Sequence, residues 1–71
     1  MVKLDKDTIA ILGRPNFTCG NIGRRLHEIG LYEVAKKAED EQAATIHFLL
    51  GVREKHGDNW LEEANKILRN E

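Results

Sequence analysis

Cysteine is almost missing from this chain. Cys19 stands alone in 71 residues, so no internal disulfide can form, and a single unpaired thiol suits a reducing compartment. No apolar run is long enough to span a bilayer, and the stretch Met1 to Asp7 has no segment resembling a signal peptide; no membrane association and a cytoplasmic location are expected. A surplus of basic charge is lacking as well. Eleven Lys and Arg face twelve Asp and Glu, a net of -1 with a pI near 6.3, whereas proteins that grip duplex nucleic acid by its phosphates usually carry a basic excess. General nucleic-acid binding is therefore disfavoured. Repeats, low-complexity tracts and linkers are absent too, which leaves one domain over residues 1–71.

A domain of this length buries only about 60% of the surface that its unfolded chain exposes, so a lone core is marginal. Disulfides are excluded. Metal is weak, because Cys19, His27, His47 and His56 show no close ligand pair of the Cys-x2-Cys or His-x3-His kind. No metal or cofactor is expected. Self-association is the remaining support.

Periodicity points to an all-α fold of three to four helices with a long central helix in an antiparallel helical hairpin, assembled as a homo-oligomer. Asp5 is placed to cap a first helix over Lys6 to Leu12, with Leu4 and Ile9 as a hydrophobic staple. The β-branched run Thr8-Ile9-Ala10-Ile11-Leu12 makes a short strand the competing reading, but no second strand candidate exists to pair with it. A second helix is predicted from near Thr18 to Ile29. Cys19, Ile22, Leu26 and Ile29 form its apolar stripe, Gly30 takes its left-handed cap, and Gly20 and Gly23 permit close approach of another backbone.

The third helix is predicted from about Tyr32 to His56. At 1.5 Å per residue it would be about 37 Å long, against a radius of gyration of roughly 11 Å for a compact domain of this size. It must project from a monomer or be covered by another copy. Ala35, Ala38, Gln42, Thr45 and Leu49 recur at coiled-coil spacing and are the expected oligomer interface. The apolar residues Ile46, Phe48, Leu49, Leu50 and Val52 surround much of the cylinder, so burial there must come from more than one side. Gly57 ends this helix, and Asp58 is placed to cap a fourth, whose face is Trp60, Leu61, Ala64, Ile67 and Leu68.

The loop into the second helix is the most informative stretch for binding. A helix start offers unpaired N–H groups and the positive end of the dipole to an anion. Arg14, Arg24 and Arg25 would neutralise phosphate, Asn16, Thr18 and Asn21 would hydrogen-bond, and Phe17 would stack on a base. An ordinary interhelical loop, with Thr18 capping and Phe17 in the core, explains the same residues. Cys19 to Arg25 also has the Cys-x5-Arg spacing of phosphatase loops. That chemistry needs a strand before the loop and a separate acid, neither of which this chain supplies, so an enzyme is not expected.

The stretches Leu12-Gly13-Arg14-Pro15-Asn16-Phe17, Lys37-Ala38-Glu39-Asp40-Glu41-Gln42-Ala43 and His56-Gly57-Asp58-Asn59-Trp60 together resemble small proteins of phage and prophage genomes. The resemblance covers most of the chain. It implies a non-enzymatic protein of the host-takeover or anti-defence type, acting in the host cell cytoplasm. Two activities fit it: sequestering an anionic nucleotide signal, which the arginine-rich loop favours, or inhibiting a host regulator or defence effector through an exposed helix face.

Overall fold

Residues 4–35 and 37–69 are described by a computed structural model, and all the regular structure among them is helical. The elements are α1 (Lys6–Leu12), α2 (Asn16–Glu28), α3 (Ala38–His56), a 3-10 turn (Gly57–Asn59) and α4 (Trp60–Leu68). The strand alternative for the first segment is thereby excluded.

α1 starts where its cap predicts. The Asp5 carboxylate accepts the backbone N–H of Thr8 at 2.7 Å, meeting one of the donors that a helix start leaves unpaired. The expected staple does not close, since Leu4 and Ile9 are each 55% exposed. What fastens α1 is Ile11, fully buried against the core, and Arg53 of α3. The Arg53 guanidinium donates to Asp7 at 3.0 Å and lies 3.8 Å from Asp5.

α2 begins at Asn16, two residues earlier than expected, after Pro15 in an extended conformation. A proline is well suited to that position because it lacks the N–H that a helix start cannot use. The helix ends in a Schellman motif. Gly30 has φ of 79°, its N–H reaches the His27 carbonyl at 3.0 Å, and the Leu31 N–H reaches the Leu26 carbonyl at 3.1 Å. Left-handed backbone of this kind favours glycine.

The largest departure from the sequence reading is the start of α3. Tyr32 to Ala35 are not helical, and the helix opens at Ala38 with Lys37 as an extended cap. Two forces set that boundary. The Tyr32 ring packs edge-on against Phe48, centroids 6.4 Å apart, which draws the segment across the molecule instead of along a helix axis. Three acids, Glu39, Asp40 and Glu41, then fill the first turn, where the dipole favours negative charge. At 19 residues α3 is about 28 Å long, inside the 36 Å longest dimension of the whole chain. Its length no longer requires a second copy to cover it.

α3 is nevertheless the centre of the fold, touched by α1, α2, the 3-10 turn and α4. The core combines Ile11, Leu26, Ala44, Phe48, Leu49, Val52, Trp60 and Ala64, with Ile22, Ile46, Ile67 and Leu68 packed around it. Leu61 falls at the edge of the α4 stripe and stays 55% exposed. Asp58 sits inside the 3-10 turn and not at the cap of α4, which Asn59 occupies.

The closest backbone approach joins α2 to α3. A Cβ placed on Gly23 would lie 2.9 Å from Glu41 Cα and 3.1 Å from its carbonyl oxygen, so only hydrogen fits there. One turn away on α3, the fully buried Thr45 hydroxyl bridges the carbonyls of Cys19, at 3.0 Å, and Glu41, at 2.8 Å. A buried hydroxyl without such partners would be costly.

Two outcomes follow. Gly23→Ala forces the backbones apart and is expected to lower stability by about 1–2 kcal/mol, despite its better helix propensity. Gly20→Ala meets only the ends of flexible side chains, the Glu41 carboxylate at 3.5 Å and the Arg24 guanidinium at 3.9 Å, and is expected to raise it by about 0.5–1 kcal/mol. Urea denaturation checks both, and the same sign for the two would contradict the crossing. At α1, the Thr8 amide, then the Thr8 hydroxyl and Arg53, hold the Asp5 carboxyl below its ordinary value of 3.8. Its contribution is therefore present above about pH 4 and is lost as the pH falls through the lower folded value. Exchange protection in α1 should drop over that window, and Asp5→Asn, which still caps, should remove the pH dependence.

Candidate functional site

The arginines of the predicted anion site do not converge. Arg24 and Arg25 leave α2 in different directions. The Arg24 guanidinium donates to Asn21 Oδ1 at 2.9 Å and to the Gly20 carbonyl at 3.4 Å, and lies 4.0 Å from Glu41 on α3. Arg25 donates from Nε to the Leu68 carbonyl at the end of α4 and from Nη1 to Glu28 at 3.2 Å. A cation at the last carbonyls of a helix is favourable, so Arg25 is a structural tie between α2 and α4. Arg14 is half-buried, and its Nε is out of water with no hydrogen-bond partner among the described residues. Asn21 is exposed beside Arg24. The side chains of Asn16, Phe17 and Thr18 lie outside the described residues.

Cys19 is fully buried, with Sγ 3.6 Å from the Pro15 carbonyl. No substrate can reach it there.

The expected oligomer seam is divided. Thr45 and Leu49 are covered by the chain's own helices, whereas Ala38 is exposed and Gln42 half-buried. Ala35 is exposed but precedes α3 instead of lying on it.

A site that the sequence reading missed lies on the other side of α2. The segment leaving the Schellman motif, the end of α2 and the first half of α3 border a wide, open cleft of about 760 Å³. Its walls carry His27, Tyr32, Glu33, Asp40 and His47, with Val34, Ala35, Ala43 and Ala44 as the apolar part. A second depression of about 300 Å³ adjoins it, sharing His27, Val34 and Ala35 and adding Arg24, Glu28 and Glu41. Nothing in the sequence joins Tyr32 to His47, fifteen residues apart, until the segment between them crosses the helix.

One corner of the cleft is aromatic. The Tyr32 hydroxyl lies 2.6 Å from His47 Nδ1, and the rings meet edge-on with centroids 5.7 Å apart. Burial pushes the Tyr32 phenol above its ordinary value of 10.0, so it stays protonated at neutral pH, and the imidazole tautomer decides which of the two groups donates. A phenol held neutral in this way is a poor base, and the pair serves to orient two rings. Glu33 and Asp40 are exposed and make no ion pair with any described residue. Among the described residues no three His, Cys, Asp or Glu side chains are grouped to hold a metal ion, and no helix is long and apolar enough to cross a membrane.

No protein-family model, curated protein or solved structure matches this chain.

Tyr32→Phe tests the corner. The packing stays and one partly exposed hydrogen bond is lost, so stability should fall by less than about 1 kcal/mol. Ring 15N shifts of His47 should report a changed tautomer balance. An unchanged tautomer balance would mean that Tyr32 does not set it.

Proposed function

We propose that this protein is a non-enzymatic binding module that works by docking on a second protein. One observation carries the reading. Two of the three cations expected to hold an anionic ligand are engaged elsewhere, Arg25 by α4 and Arg24 by Asn21 and Glu41, whereas Leu4, Ile9, Leu12, Leu31, Leu50 and Leu61 remain 37–55% exposed. Scattered apolar side chains on a surface are ordinary. Here three of the six gather on or beside the seven residues of α1, with Ile9 and Leu12 one turn apart, and grouped exposure of this kind marks interaction surfaces. The buried thiol of Cys19 supports a role without catalysis. The resemblance to small phage proteins makes a host regulator or defence effector the target class, met in the host cytoplasm.

Self-association and an antiparallel pairing of α3 with α4 belong to the same proposal. A second copy would have Ala35, Ala38 and part of Gln42 to meet, because Thr45 and Leu49 are already covered.

A second reading, sequestration of an anionic nucleotide, is favoured by the Arg14 Nε that lacks a hydrogen-bond partner among the described residues just before α2. The two readings separate in one comparison. With a host target in hand, Ile9→Glu together with Leu12→Glu should weaken its binding at least tenfold while the melting temperature changes little, and a panel of cyclic and linear nucleotides should leave the wild-type melting temperature unmoved. A nucleotide that raises it by several degrees, with the rise lost in Arg14→Ala, would overturn protein docking in favour of sequestration.

A further inference from the structure

We propose that the cleft between the 32–35 segment and the first half of α3 receives an arginine side chain from the partner protein. The inference rests on the docking reading and names the chemistry of one contact within it.

The cleft is complementary to a planar cation in three ways. Among the described residues its walls carry the carboxylates of Glu33 and Asp40 and no Lys or Arg, so the described lining is acidic. Neither carboxylate has an ion-pair partner among the described residues, unlike Glu28 and Glu41 of the adjoining depression, which face Arg25 and Arg24. The Tyr32 and His47 rings meet edge-on at 73°, and aromatic rings attract a guanidinium over their faces. Carboxylates add charge-assisted hydrogen bonds, with the two-pronged geometry that arginine offers and lysine lacks. Val34, Ala35, Ala43 and Ala44 can pack on the aliphatic stem.

A protein segment fits better than a free amine because the feature is elongated. The larger cleft and the smaller depression run into each other at His27, Val34 and Ala35, giving adjacent places for successive side chains. Glu33 and Asp40 are both exposed, so replacing them should leave the fold intact.

The test is an NMR titration of the 15N-labelled full chain with an acetylated hexapeptide bearing two arginines. Its glutamate counterpart and free spermidine serve as comparisons. The arginine peptide should move amide signals of Tyr32 to Ala35 and Ala43 to His47, more strongly at low salt. Glu33→Gln with Asp40→Asn should weaken it at least tenfold, whereas Glu54→Gln with Glu62→Gln, the same charge change away from the cleft, should not. The inference is overturned if the wild type shows no such shifts, if both pairs of substitutions weaken binding equally, or if spermidine binds as tightly as the peptide. Failure here stays distinct from failure of docking. A partner lost on Ile9→Glu with Leu12→Glu, yet held normally by Glu33→Gln with Asp40→Asn, removes the arginine contact and leaves the docking surface standing.

Discussion

The backbones of α2 and α3 meet at Gly23, where no side chain can fit between the helix and Glu41. That contact sets the position of everything else. It brings the Cys19 carbonyl within reach of Thr45, turning a polar hydroxyl in the interior from a cost into a tie. It turns the stripe of Cys19, Ile22 and Leu26 toward α3. It also obliges the chain after Gly30 to travel outward and return before α3 can start, which is how a cleft arises between two helices that otherwise touch.

The dependence extends to charge. Glu41 lies at the crossing, so Arg24 on the adjoining turn of α2 is placed within ion-pair distance of it. Arg25, one residue on, reaches α4 instead. Two cations that look like a phosphate clamp in one dimension are thus divided between two intramolecular tasks. At the opposite end Arg53 holds α1 by its acidic start. Ile9 and Leu12 of α1 stay 55% and 46% exposed, and the proposed docking surface is built on them.

Local chemistry was legible in the sequence. The Asp5 cap, the Gly30 ending of α2 and the close approach at Gly23 each depend on a few neighbouring residues and a backbone rule, and all three are present. The start of α3 was misread because Ala35 and Ala38 continue a seven-residue spacing backwards from Gln42. Periodicity cannot register that Tyr32 has a better place against Phe48 and His47. The acids Glu39, Asp40 and Glu41 were the available signal for a helix start. The cleft was invisible for a different reason: its walls come from residues 27, 32–35 and 40–47, which only the fold assembles. The engagement of Arg25 by Leu68, 43 residues away, was equally out of reach.

The central claim is the direct meeting of α2 and α3 backbones at Gly23, since the cleft, the bridged Thr45 and the placement of Arg24 all follow from it. Nuclear Overhauser spectroscopy measures it without any substitution. The account predicts a strong cross-peak between the Gly23 α-protons and the Glu41 α-proton, accompanied by one from the Thr45 side chain to Cys19. Absence of the first cross-peak in the folded protein would contradict it.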